Sequence, residues 1–292
     1  MGAYDIVFIG HMAVDEVRHF GGEVSVGAGS AVLCGALAAA RVGRRVAVVT
    51  RMSPADEQLV ESLRMAGVEA VIVPAPATTY MQVIHPSADV DVRQIIRVRS
   101  AGFFQSEDVP ALQAGVCHLA GISDQEFDLP FIHALKSRGL RLSADMQGFV
   151  RQGDPESGEI HFRDVADKQE IVSLLDFVKL DIVEAEILTG TRDLEQAARQ
   201  FAAWGAGEVV ITRADGVLAL VDGAAHFSSF TNRSVIGRTG RGDTTFGAYL
   251  AWRPEHSVQE ALDFAAALVS IKMESIGPFK GTLEDVLARL EG

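Results

Sequence analysis

Three glycines, Gly237, Gly240 and Gly242, stand just ahead of Asp243 in the stretch GRTGRGDTTFGAYL, and the residues after Asp243 suit a buried helix. Glycine lets a backbone approach a ligand closely and turn its N–H groups outward. A helix N-terminus adds unsatisfied donors and the positive end of a dipole, so the stretch suits phosphate or a developing anion. A carboxylate would repel phosphate in a site that only binds anions. Asp243 makes chemical sense if it faces a hydroxyl that must lose a proton while the amides hold the group in transfer, as phosphoryl transfer to an alcohol requires. On spacing alone it could equally cap the helix.

Other phosphate and catalytic motifs are missing. The 292 residues contain no GxxxxGK[ST] loop, no GxGxxG after the first strand, and no HExxH, CxxC or GxSxG. A net charge of −13 without a basic stripe argues against a nucleic-acid partner. Cys34 and Cys117 lie far apart in apolar runs and read as buried thiols in a reducing compartment. No apolar run is long enough to span a membrane, and a cytoplasmic protein is expected.

The elements that must position Asp243 read as an alternation of strands and helices. YDIVFIG (4–10) and RRVAVVT (44–50) have the form of buried strands, with the small-residue helix SAVLCGALAAARVG (30–43) between them. SPADEQLVESLRMAG (53–67) predicts a helix capped by Ser53, with Pro54 in its first turn and Asp56 closing a capping box. From 116 the alternation runs through VCHLAGI, LRLSADM, FVKLD and EVVIT to helices expected from 243, 258 and 282. Such alternation implies a three-layer α/β/α, doubly wound, mainly parallel sheet. Residues 16–26, and 79–99 with its polar turn PSADVD, interrupt it and predict a small separate β sheet.

Beyond these patterns, TGRGDTTFGA (239–248) resembles the C-terminal signature of the ribokinase-like, or PfkB, carbohydrate kinases, whose core is TGAGD. The resemblance extends along nearly the whole chain in the family's order. GHMAVDEV (10–17) matches the segment ending in a substrate-contacting Asp, here Asp15, and GAGSAVLCGALAAARVG (27–43) the glycine-rich helix start, placing Gly29 and Ser30 beside the substrate. DIVEAE (181–186) resembles the NxxE motif of the Mg²⁺–phosphate network, which implies metal roles for Glu184 and Asp181. VVITRADG (209–216) resembles the turn beside the nucleotide, implying that Thr212, Asp215, Gly216 and Thr239 approach ATP. ADMQGFVR (144–151) and TTY (78–80) are similar to the myo-inositol kinase-like branch and add Asp145, Gln147 and Tyr80 to the substrate side.

The resemblance implies one ribokinase-like domain over 1–292 with a β lid. It also implies ATP and Mg²⁺ as cofactors, a small sugar or cyclitol as acceptor, and Asp243 as general base. The amides of Gly240, Arg241 and Gly242 would form the anion hole. Because a small isolated sheet has exposed edges, a homodimer through the lid is expected. A nucleoside acceptor is one alternative; a silent protein that binds sugar or nucleotide is another, which the chain's departures from the pattern permit. Arg241 replaces the usual Ala and Asp181 the usual Asn. Gly237 replaces a frequent acidic residue, which removes the expectation of a monovalent-cation site. Cys34 replaces a sugar-contacting Asn, and the turn after Thr212 is one residue short.

Overall fold

The computed structural model describes residues 3–87 and 92–291. The chain begins with β1 (Tyr4–Ile9), β2 (Ala13–Arg18), β3 (Val24–Gly29), α1 (Ala31–Arg41) and β4 (Val46–Met52). α2 (Glu61–Met65), β5 (Glu69–Pro74), β6 (Thr79–Ile84), β7 (Gln94–Arg99), β8 (Ala114–Leu119) and α3 (Leu129–Ser137) follow. Next come β9 (Leu142–Asp145), α4 (Gln147–Val150), β10 (Arg151–Gly153), β11 (Ile160–Phe162), α5 (Lys168–Ser173) and β12 (Phe177–Asp181). α6 (Ile182–Thr189), α7 (Leu194–Ala203), β13 (Glu208–Thr212), β14 (Gly216–Val221) and β15 (Ala224–Ser229) precede α8 (Arg241–Trp252), α9 (Val258–Met273) and α10 (Leu283–Glu291).

Nine strands form one sheet in the order β15-β14-β13-β12-β9-β8-β1-β4-β5. Every pairing from β13 to β5 is parallel, and the two at the other edge are antiparallel. The central strands are apolar on both faces because helices cover both. On β1, Ile6 and Phe8 enter the apolar cluster shared with α1, α8 and α9, whereas Val7 and Ile9 enter the one shared with α3 and α7. This is the expected three-layer α/β/α arrangement.

Small residues set how closely α8 approaches α1. A Cβ added at Gly247 would lie 2.5 Å from the Gly35 carbonyl oxygen, so a side chain there would push the helices apart. The contact brings the start of α8 beside the start of α1.

β3-β2-β6-β7 form the separate small sheet, with β2 and β6 parallel. Ala13, Met81 and Ile95 pack from it onto Ile122 and Ile160. The β10–β11 hairpin, which the sequence patterns did not suggest, flanks β7 through an Ile96–Glu159 bridge. The polar turn expected at 86–91 falls mostly on 88–91, outside the described residues.

The helix expected over 53–67 is instead a 3₁₀ run, Pro54–Val60, followed by the short α2. Ser53 does cap, accepting from the Ala55 amide. Asp56 closes no capping box: its backbone leaves the helical region (φ −105°, ψ 21°) and its carboxylate accepts from the Thr78 hydroxyl at 2.6 Å. Among the described residues no helix is long and apolar enough to cross a membrane.

Candidate active site

The carboxyl ends of β9, β12 and β13 converge with the start of α8, the edge of a parallel sheet where ligands gather. α8 begins at Arg241, two residues before the expected start, and Gly240 caps it in the left-handed region (φ 75°). A Cβ on Gly240 would also come within 2.5 Å of the Cys34 sulfur. A Cβ on Gly242 would meet the Lys179 Nζ at 2.8 Å. Backbone and lysine therefore come close only because Gly242 has no side chain.

The amide donors differ from the expected trio in one respect. The Arg241 N–H donates to the Arg238 carbonyl at 3.1 Å, so it is occupied within its own loop. The Gly242 and Asp243 amides lie in the first turn, where no earlier helical carbonyl can accept from them. Among the described residues neither has an acceptor, so they are the donors open to a ligand.

Asp243 Oδ1 is buried without a hydrogen-bond partner. Its charge bears on Asp15, Asp145, Lys179, Lys272 and Cys34, which together surround it. Lys179 and Asp145 form a buried ion pair at 2.8 Å. Burial alone would lower the Lys179 ammonium, but Asp145, Glu184, Asp243 and Asp181 outweigh it and hold the lysine protonated. Asp15 is pushed up to about 6 by burial, against the pull of Arg151 and with the help of Asp243. A Cβ on Gly29 would lie 1.8 Å from Asp15 Oδ2, so this glycine is what admits the carboxylate. Ser30 caps α1 by accepting from the Leu33 amide at 3.2 Å.

Asp181 and Glu184 form the capping box of α6. Asp181 Oδ1 accepts from the Val183 and Glu184 amides, and Glu184 Oε2 accepts from the Asp181 amide at 2.8 Å. Glu184 is fully buried, its Oε1 has no partner, and burial followed by the Asp181 charge pushes it up to about 8. Arg151, whose Nε is also buried without a partner, acts on both Asp15 and Glu184. The Gln147 amide donates to Asp145 at 3.0 Å and its side chain to the Gly121 carbonyl at 3.1 Å.

Other expected residues stand apart. Tyr80, expected at the substrate, lies on the opposite face of the lid sheet from Asp15. Asp15 pairs in register with Met81, so the neighbouring Tyr80 points the other way, its hydroxyl on Glu16 at 2.5 Å and its ring beneath Arg99. Asp215 turns to Arg213 on the surface. Gly216 serves packing, since a Cβ would meet the Phe227 ring at 2.4 Å. Thr212 is buried near Gly242, and Thr239 is exposed with its carbonyl on Lys272.

Lys179 escaped the sequence patterns. A lysine inside FVKLD, a strand with both faces covered, was the available signal, because a buried ammonium needs a partner.

Comparison with known proteins bears on the fold and the family. A pyrophosphate-dependent kinase of the ribokinase family, solved with a pyrophosphate analog and myo-inositol, is 33% identical, with a TM-score of 0.88 over 97% of this chain and 99% of that one. The ribokinase of Arabidopsis thaliana, complexed with ribose and ATP, shares the fold at a TM-score of 0.79 and 20% identity over the full length of both chains. The cytidine kinase of Thermococcus kodakarensis is 29% identical over 259 residues, 85% of this chain and 87% of that protein. The model of the pfkB family of carbohydrate kinases matches residues 4–284, and the chain belongs to that family.

Proposed function

We propose that the protein transfers a phosphoryl group from pyrophosphate to a hydroxyl of a cyclitol such as myo-inositol. The observation that carries the transfer chemistry is the buried, unpartnered Asp243 Oδ1 beside the open amides of Gly242 and Asp243. In this reading Asp243 accepts the proton of the attacking hydroxyl, while the amides and the Lys179 charge beneath Gly242 stabilise the transferring group. Asp145 holds Lys179 in place, and Asp15 accepts hydrogen bonds from the acceptor's hydroxyls.

Mg²⁺ fits the carboxylate side of the site. Glu184 offers a buried oxygen without a partner, and a cation there would relieve the burial that raises its pKa. No group of three ligating side chains exists among the described residues, which suits an ion that keeps waters and takes most ligands from phosphates. Glu184, with Asp181 beside it, would hold Mg²⁺, which would neutralise charge on the donor.

ATP is the donor the motif resemblance implies; three observations favour pyrophosphate. The turn after β13 is closed on itself, with Arg213 donating to the Gly216 carbonyl and its guanidinium on Asp215 and against the Phe227 ring. A donor without base or ribose relies on cations for affinity, and Arg238 and Arg241 lie between the glycines. The 33% identical relative was solved with a pyrophosphate analog and myo-inositol. The cytidine kinase similarity favours a second reading, a nucleoside acceptor.

Phosphorus NMR of the purified protein with Mg²⁺, offered pyrophosphate or ATP against myo-inositol, ribose and cytidine, tests all of this. Inositol phosphate formed from pyrophosphate is the expected product. Transfer from ATP alone would overturn the donor, and transfer to cytidine alone would establish the second reading. Tight binding with no transfer would make the chain a silent sensor.

A further inference from the structure

Lys272, near the end of α9, is 1% exposed, yet among the described residues no carboxylate forms an ion pair with it. Its ammonium donates to two main-chain carbonyls, those of Gly237 and Thr239, in the loop that leads into the glycines of α8. The same loop is clamped to the end of α9. The Gly237 amide donates to the Met273 carbonyl at 2.9 Å, and a Cβ on Gly237 would lie 1.8 Å from the Ser275 carbonyl oxygen. A Cβ at Gly237 would therefore collide with the end of α9.

Two carbonyl dipoles aimed at one point repel each other unless a cation lies between them. An ammonium supplies that charge in a small volume, at the C-terminal end of a helix where positive charge is favoured. Burial pulls Lys272 below its ordinary pKa, opposed by Cys34 and then Asp243. The lysine thus ties the loop before the amides to the end of α9.

We propose that Lys272 is a positioning residue, a tethered cation that fixes loop 237–239 and with it the Gly242 and Asp243 amides, so that the protein works without a free monovalent cation. The catalytic part rests on the phosphoryl-transfer reading; the structural part does not. Lys272→Ala removes the ammonium and the three methylenes that carry it, opening a space beside the two carbonyls that a small hydrated cation can fill. Lys272→Met removes the charge but keeps the volume.

Melting temperature and steady-state kinetics are measured in potassium, ammonium and tetramethylammonium chloride at equal ionic strength. The wild type should behave alike in all three salts. Lys272→Ala should lose at least about tenfold in kcat with less change in acceptor KM, the scale of a lost charged hydrogen bond. Potassium or ammonium, but not tetramethylammonium, should recover part of that loss and raise the variant's Tm. Lys272→Met should fold, lose a similar factor and gain nothing from any salt. Full turnover in Lys272→Met, potassium activation of the wild type, or Lys272→Ala losses that no small cation relieves would each overturn the proposal. If the wild type transfers no phosphate from any donor, the proposed function fails, and the salt dependence of the Lys272→Ala melting temperature still decides the role of Lys272.

Discussion

Two buried polar clusters lie near the lid, and they are built on opposite rules. Around Glu126 every polar group is satisfied. Its carboxylate accepts from the His11 amide at 2.7 Å, the Ile122 amide at 2.5 Å and the Ser123 amide at 3.2 Å. His11 Nε2 donates to the Gly102 carbonyl, so Nδ1 accepts from the Thr79 hydroxyl, which in turn accepts from the Ala101 amide. Burial keeps His11 below its ordinary pKa, and its 3.7 Å approach to Glu126 is therefore a contact with a neutral ring. Arg97 from the lid is held by Ser123 and Asp124. Around Asp243, by contrast, Asp243 Oδ1, Glu184 Oε1 and Arg151 Nε are buried with no partner, and Asp15 and Glu184 are pushed toward protonation. Native structures rarely leave such groups unpaired. The first cluster joins lid to body; the second is incomplete without a ligand.

Removing one charge should separate the two most sharply. Asp243→Asn should lower kcat by roughly 10²–10⁴-fold, the usual weight of a general base, and leave Tm unchanged or higher. Full turnover, or a melting temperature that falls with the activity, would mean that Asp243 only caps the helix. Glu126→Ala should do the reverse. It strands three buried amides and should cost roughly 3–5 kcal/mol, a Tm loss on the order of 10 °C in thermal melts. If Glu126→Ala melts like the wild type, its cluster does not hold the lid to the body.

How much of this the sequence carried depends on how local each interaction is. The start of α8 is legible because its glycines and Asp243 lie within seven residues, and the sheet because buried parallel strands read as apolar runs. The Lys179–Asp145 pair is 34 residues apart in the chain and the Glu126–His11 contact 115, so no pattern in either segment announces the partner. The β10–β11 strands are three residues each, too short for periodicity to register. Tyr80 is misplaced by one step of alternation. Strand parity is visible in TYMQVI, but which parity faces inward depends on the parallel register of Asp15 on Met81, set by a different segment.

An incomplete cluster should weaken the ligand-free fold in a pH-dependent way. Glu184 rises from 4.5 to about 8 and Asp15 from 3.8 to about 6, so the folded state binds these protons more tightly than the unfolded state. Their cost to stability is absent below about pH 4, grows as pH rises, and is complete above about pH 6 for Asp15 and pH 8 for Glu184. Glu184→Gln can keep accepting from the Asp181 amide while removing the buried charge. Its Tm should exceed the wild type's by on the order of 5 °C at pH 8 and converge on it toward pH 5. An equal gap at both pH values would show that Glu184 is not strained by its burial.

The smallest effect is expected on the outer face of the lid. Tyr80 touches Glu16 and Arg99 and points away from Asp15, so Tyr80→Phe removes one solvent-accessible hydrogen bond worth at most about 1 kcal/mol. Its kcat/KM should stay within about twofold of the wild type, and its Tm within about 2 °C. Met81→Ala, one residue on and facing Asp15, should instead loosen the packing of the lid's inner face and raise the acceptor KM. A rise of about tenfold in acceptor KM for Tyr80→Phe, roughly 1.4 kcal/mol, would exceed what the lost hydrogen bond supplies. It would overturn the placement of Tyr80 away from the acceptor, unless the KM of the wild type also varied with protein concentration, which would trace the effect to a second copy at the lid.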